Sequence, residues 1–143
     1  MNVEAILGNK GRDVLTVPPD ASVLDASIIL STKKIGALVV SADGVTALGI
    51  ISERDIVNGI GARGPSALSE TVDSLMTSDI RTCALDDTGD QVLSAMTDGR
   101  FRHVPVIENG KLCGIVSIGD VVKSRLDEIT READAMREYI TSN

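Results

Sequence analysis

The chain has 143 residues, with 14 lysines and arginines against 21 aspartates and glutamates, and a net charge of −7; that length suffices for a domain with a full core and no staples. The acidic balance excludes nucleic acid as a main partner, because binding along a phosphate backbone rests on clustered positive charge, and Phe101 and Tyr139 are the only aromatics, too few for base-stacking platforms. Apolar runs such as residues 35–40 fall far short of the ~20 residues of a membrane span, and no basic stretch leads into an apolar one near Met1, so no membrane partner, no signal peptide and a cytoplasmic location are expected.

Residues 3–7 read as a short helix stopped by Gly8. An extended stretch at 14–17 runs into a turn at Pro18, Pro19 and Asp20. A helix with the apolar face Val23, Leu24, Ala26, Ile28 and Leu30 follows. Then come a strand at 35–40, an Asp43-Gly44 hairpin turn, a returning strand at 47–51 and a second helix from Ser52. A loop rich in Gly, Pro and Ser covers 59–71. The same series then recurs: an extended stretch at 80–83, a turn at Asp86-Asp87, a helix with Val92, Leu93 and Met96, a strand at 103–107, an Asn109-Gly110 turn, a strand at 111–116 and a helix from Ser117.

The recurrence is a tandem duplication. With an offset of 66 residues, Asp13, Thr16, Asp20, Val40 and Gly44 fall on Asp79, Thr82, Asp86, Val106 and Gly110. After a one-residue gap, Gly49, Ile50, Ser52, Asp55 and Val57 fall on Gly114, Ile115, Ser117, Asp120 and Val122. The expected fold is therefore α/β, of the α+β type: two tandem β-α-β-β-α repeats about a pseudo-two-fold axis. The parts are an N-terminal segment with the first repeat (1–63), a linker (64–74), the second repeat (75–126) and a C-terminal amphipathic helix (127–143). That long helix carries Val122, Leu126, Ile129, Ala133, Met136 and Ile140 at alternating spacings of four and three, a heptad seam. It has two possible destinations, the chain's own domain or a partner chain.

Gly59, Gly61 and Gly64 form a literal GxGxxG, but it follows a helix and runs into Pro65, whereas a dinucleotide fingerprint lies between a strand and a helix. Cys83 and Cys113 form no CxxC, and with His103 alone they make no tetrahedral metal site. No GxSxG is present, and His103 has no matched partner for base catalysis. No catalysis, catalytic cofactor or metal is expected.

The informative pair is Ser52-Glu53-Arg54-Asp55 and Ser117-Ile118-Gly119-Asp120. Ser-x-x-Asp is a helix-capping box, worth ~1 kcal/mol at each helix start. At matched helix N-termini it also offers N–H groups to an anion and a carboxylate to the vicinal hydroxyls of a ribose. Both readings stand. Arg100, Arg102 and His103 before one strand, and Lys33 and Lys34 before its counterpart, are either a solvated strand entry or a phosphate clamp. His103 is also a candidate pH-sensitive contact.

The element order, GIISERD and GIVSIGD, and RHVPVIENGKLCGIVS resemble a tandem pair of CBS domains, the Bateman module, over residues 13–126. The likeness extends to the small stand-alone two-CBS proteins of bacteria and plant organelles. It implies a regulatory module that binds AMP, ADP, ATP, NAD or S-adenosylmethionine in clefts between the repeats and pairs into a disc-like homodimer. It implies that Asp55 and Asp120 hold ribose hydroxyls and that Ser52 and Ser117 touch sugar or phosphate. Thr16-Val17 and Thr82-Cys83 are implied to line the adenine slots. Gly36, Ala37, Arg102, His103 and Val104 fall where the second strand of each repeat meets the ligand, and Ile51 and Arg54 complete the set. Arg54 is matched by Gly119, and Arg102-His103 by Gly36-Ala37, so the two sites differ in charge. The regulated partner is then a separate protein. Two rivals are a ligand-free dimerisation module working through the heptad seam and a redox sensor using Cys83.

Overall fold

The computed structural model describes residues 1–142. Each half is built around a small sheet, three-stranded in the first half and two-stranded in the second. In the first half β2 (Ala37–Val40) lies between β1 (Thr16–Val17), parallel to it, and β3 (Gly49–Ser52), antiparallel. All four β2 residues are buried, as a central strand packed under helices requires. Helices α2 (Val23–Lys33) and α3 (Glu53–Arg63) cover this sheet and close a core of Val17, Val23, Leu30, Leu38, Ile51 and Val72.

The second half repeats the plan with β4 (His103–Glu108), β5 (Lys111–Ser117) and a helix before and after them. The helix before them is α5 (Gly89–Gly99) and the helix after them α6 (Ile118–Thr141). The expected strand at 80–83 is reduced to one bridge: the Cys83 N–H donates to the Pro105 carbonyl at 3.0 Å and its carbonyl accepts from Ile107 at 2.9 Å. The residues before it are drawn away to line a cleft. Equivalent caps end α2 and α5, where Lys34 and Arg100 adopt left-handed φ of 55° and 57°.

Two turns differ from each other although both were read as tight hairpins. At Asn109-Gly110 both φ values are positive, as a two-residue primed turn demands. At Asp43-Gly44 only Gly44 is left-handed, and β2 and β3 are joined by the wider connection 41–48. The Asp43 carboxylate causes this by accepting from the Val45 and Thr46 N–H groups at 2.8 and 2.7 Å. Those bonds hold its pKa down to about 2. The turn presents the Val45 carbonyl to the Leu112 N–H at 2.8 Å, joining the two halves.

The expected loop at 59–71 is mostly helical. α3 runs on to Arg63, a 3-10 turn spans Pro65–Ser69, and α4 (Val72–Leu75) follows. Gly59 sits inside α3 because Leu75 packs on it: a Cβ there would lie 2.7 Å from Leu75 Cδ1. Gly64, at φ 79°, ends the helix.

The N-terminal helix, α1 (Val3–Lys10), runs past Gly8 and stops at Gly11, with φ 102°. It is no appendage. Val3, Ile6 and Leu7 belong to the core of the second half, with Met96, Val106, Val116 and Val121. α4 does the same service for the first half. The Val3 N–H donates to the Asp87 carbonyl at 2.9 Å, and the Val72 N–H to the Ala21 carbonyl at 2.8 Å; Asn2 bridges Thr88 as Thr71 bridges Ser22. Each repeat thus has a leader helix that seals the other repeat.

Leu7 is 1% exposed, and a Leu→Ala change at a buried site costs about 2–5 kcal/mol. Leu7→Ala is expected to lower unfolding free energy in urea by that amount. A change within about 0.5 kcal/mol, the usual effect of a surface substitution, would show that α1 is dispensable.

Candidate functional site

The leader of the second repeat leaves α4 at Met76 and crosses in front of β3. Thr77 pairs with Ile50 through reciprocal backbone bonds of 2.8 and 2.9 Å. This crossing puts Thr77, Asp79, Ile80 and Arg81 opposite the β3–α3 junction at Ser52–Asp55. The α5–β4 junction, Gly99–His103, closes the third side, and Gly36 and Ile50 form the floor. Together they enclose a cleft of about 530 Å³ between the two halves, within the ~300–1,000 Å³ of small-molecule sites.

Asp55 is held at the mouth of this cleft by its own helix. One carboxylate oxygen, Oδ2, accepts from the Ser52 N–H at 2.8 Å and the Ser52 hydroxyl at 3.0 Å, and the Ser52 Oγ accepts from the Asp55 N–H at 3.2 Å. The capping box is therefore real. The other oxygen, Oδ1, accepts only a 3.2 Å bond from the Thr77 hydroxyl, a neutral partner that an incoming hydroxyl can replace. Capping and ligand contact fall to different atoms of one side chain.

Four arginines line the same cleft, Arg54, Arg81, Arg100 and Arg102, against Glu53, Asp55 and Asp79. Arg54 comes from α3 of the first half, and its Nη1 lies 3.4 Å from the Arg100 carbonyl of the second. In a chain of net charge −7 such a gathering of guanidinium groups favours an anion. His103 packs over Gly36, where an added Cβ would lie 3.1 Å from its ring. Burial and then the Lys10 ammonium lower its pKa, which favours the neutral ring.

Of the residues singled out in the sequence, Gly36, Ser52, Arg54, Asp55, Arg102 and His103 meet in this cleft. Thr16 and Val17 lie in β1, whose Val17 is core, and Ala37, Ile51 and Val104 are buried in the sheets. Thr82 is exposed, and Cys83 is buried with its backbone spent on β4. Ser117 and Asp120 form the matching capping box at the start of α6; they do not line this cleft, although Ser117 pairs with His103 across β4 and β5. There Asp120 pairs with Lys10 of α1. Burial raises the Asp120 pKa, but the Lys10 ammonium and the Ser117 N–H outweigh it and leave the carboxyl below its usual range.

Thr77, Asp79, Ile80 and Arg81 line the cleft without having been singled out as site residues in the sequence, although they open the second repeat. Burial pushes the Cys83 thiol up to about 12, and the Asp87 carboxylate adds to the shift. A thiol in that state is a poor nucleophile. Among the described residues no cluster of histidine, cysteine and carboxylate side chains has metal-binding geometry, and no helix is long and apolar enough to cross a membrane.

Two β-α-β-β-α units with exchanged leader helices and a ligand-sized cleft between them define a CBS pair. The chain belongs to the CBS domain family, whose pattern matches residues 9–62 and 72–127. It is 33% identical over 146 residues to the mitochondrial CBS domain-containing protein CBSX3 of Arabidopsis thaliana, covering 96% of this chain and 71% of the relative. The CBS-domain containing protein ATU1752 from Agrobacterium tumefaciens is 50% identical and superposes with a TM-score of 0.84 over 87% of this chain and 99% of that one. The CBS domain pair of protein MJ0100, solved with 5′-methylthioadenosine and S-adenosyl-L-methionine, superposes with a TM-score of 0.76 at 26% identity, over 88% of this chain and 98% of that one.

His103 is the only histidine, so its titration is read directly by NMR. With its folded pKa depressed below the ordinary ~6.5, the stability tied to it is present above that pH and lost as the pH falls below it. Lys10→Ala removes a cation and leaves the Asp120 carboxylate unpaired, so the His103 pKa is expected to rise. An unchanged titration would mean that Lys10 does not face the ring.

Proposed function

We propose that the protein is a regulatory module that binds a phosphate-bearing adenosine ligand (AMP, ADP, ATP or NAD) in the Asp55 cleft and reports its level to a separate protein. The observation that carries this reading is the convergence of Asp55 and four arginines on one cleft between the repeats. A carboxylate with a weakly held oxygen is suited to the vicinal hydroxyls of a ribose. Guanidinium groups, bidentate donors to phosphate oxygens, supply the other end of the ligand. The adenosine compounds bound by the MJ0100 pair, a relative of the same fold, support the choice of nucleoside. The arginines favour an anionic nucleotide over the sulfonium of S-adenosylmethionine.

No group in the cleft is arranged for catalysis on this reading. His103, its pKa lowered by burial, forms part of the wall over Gly36, and ligand binding acts by drawing α3 and the α5–β4 junction together across the interface between halves. Both cysteines are unpaired, in keeping with a reducing compartment such as the cytoplasm.

Asp55→Asn tests the assignment because the amide oxygen keeps the bond from the Ser52 N–H while the negative charge is lost. Charge-assisted hydrogen bonds contribute ~1.5–3 kcal/mol, so AMP or ATP affinity by calorimetry is expected to fall at least about tenfold. Unchanged affinity would remove Asp55 from the site.

The dimer reading draws on α6. Val122, Leu126, Ile129, Met136 and Ile140 are 44–66% exposed, so the heptad seam does not pack back on its own domain. We assign it to self-association as a homodimer. Sedimentation is expected to show the full chain as a dimer and the chain ending at Leu126 as a monomer that still binds AMP. A dimer that survives the truncation would place the contact elsewhere.

A further inference from the structure

Ile50 and Ile115 hold the same place in the two repeats, as do Asp55 and Asp120. In the first half Thr77 serves both members. Its N–H donates to the Ile50 carbonyl at 2.8 Å and its hydroxyl to the Asp55 carboxylate at 3.2 Å. In the second half one ammonium reaches both the carbonyl and the carboxylate, the latter at the oxygen that also accepts from the Ser117 N–H. Lys10 Nζ donates to the Ile115 carbonyl at 2.8 Å and pairs with Asp120 Oδ2.

The difference comes from the leader helices. Val3 and Leu7 of α1 correspond to Val72 and Met76 of the other leader, which sets Gly8 against Thr77. Gly8 has no side chain to offer. α4 ends at Leu75, so Thr77 is free to pair with β3, whereas α1 continues to Lys10 and the extra turn carries the ammonium to Asp120. Its side chain is 31% exposed and that of Asp120 24%.

The two carboxylates consequently offer different things to a ligand. A ribose diol arriving at Asp55 exchanges one neutral hydroxyl for others. At Asp120 it meets a carboxylate whose charge is already shared, through the capping oxygen Oδ2, with an ammonium in a charge-assisted bond about twice as strong as a neutral one, and displacing Lys10 would strand a partly buried cation and its carbonyl partner.

We propose that Lys10 is a built-in occupant of the Asp120 site, so that the chain takes one adenosine ligand, at Asp55, and the second site opens only when Lys10 withdraws. This rests on the reading of the Asp55 cleft as a nucleotide site. It makes α1, the helix that seals the second core, the element coupled to filling of the second site.

The test is calorimetric stoichiometry with AMP as the probe. The wild-type chain is expected to bind one AMP, Lys10→Ala and Lys10→Gln two, and Lys10→Arg one, because arginine keeps the charge. The Ser117 N–H donates to Asp120 at 2.8 Å without the help of Lys10, so α6 is expected to stay capped in the Lys10 variants. Lys10→Ala combined with Asp55→Asn is expected to keep one AMP, now at Asp120. Two AMP on the wild type, or one on both the wild type and Lys10→Ala, would overturn the occupancy while leaving the Asp55 site standing. Loss of AMP in Lys10→Ala would overturn it too, by making Lys10 a ligand contact. No AMP on the wild type with one on Lys10→Ala would remove the Asp55 reading and keep the Lys10 one. No AMP on any variant would overturn both.

Discussion

Gly49 and Gly114 stand at the same point of the two sheets, and each lies under a helix that precedes the other repeat in the chain. Met76 approaches Gly49 and Leu7 approaches Gly114 so closely that an added Cβ would lie 2.8 and 2.7 Å from their side chains. Neither repeat closes its own core. Val72 completes the first and Val3, Ile6 and Leu7 the second, so the halves fold as one unit although their sheets do not merge. The exchange also dictates where the chain must run between helix and strand. That path, not any loop motif, brings 77–81 in front of Asp55.

The site inherits its properties from this crossing. Capping needs one oxygen of Asp55 and one N–H of Ser52, which pins the carboxylate at the helix start without consuming it. The arginines arrive from both halves: Arg54 from α3, and Arg81, Arg100 and Arg102 from the stretches flanking α5. Arg100 occupies a left-handed cap that glycine would fill without strain. A cation there sets a guanidinium at the cleft and a favourable charge at the helix C-terminus. The two repeats share a backbone plan, yet a single difference in leader length turns one ribose-type carboxylate into half of an ion pair.

Much of this was legible from the residues because the duplication repeats its punctuation. Ser52 and Ser117 before Asp55 and Asp120 marked two helix starts, and the structure forms both capping boxes. Asn109-Gly110 specified a tight turn because both residues tolerate positive φ. Asp43-Gly44 carried the same local signal, but the Asp43 side chain satisfied nearby N–H groups and widened the connection, a contest between side-chain and ladder bonds that dipeptide identity does not reveal. α4, and the sealing role of α1 beyond the short helix expected at 3–7, escaped notice for a different reason. Both helices are short, with few apolar residues each, and their partners lie in the opposite repeat, so no local periodicity announces where they pack. The glycines of 59–64 resembled a flexible loop, whereas Gly59 is small because Leu75 needs the space. Nothing in the sequence sets Lys10 apart, and only the fold places it beside Asp120.

The claim on which the account turns is that an adenosine nucleotide enters between the halves at Asp55 rather than at Asp120. The most direct measurement is an NMR titration of the isotopically labelled protein with AMP, following backbone amides along the whole chain. Perturbations are expected to concentrate in three stretches, 52–55, 77–81 and 99–103, and to exceed those of 8–12 and 117–120, where Ser117 and Ile118 move only through their bonds to the 102–103 backbone. Perturbations gathered at 8–12 and 117–120, with the first three stretches silent, would contradict that claim.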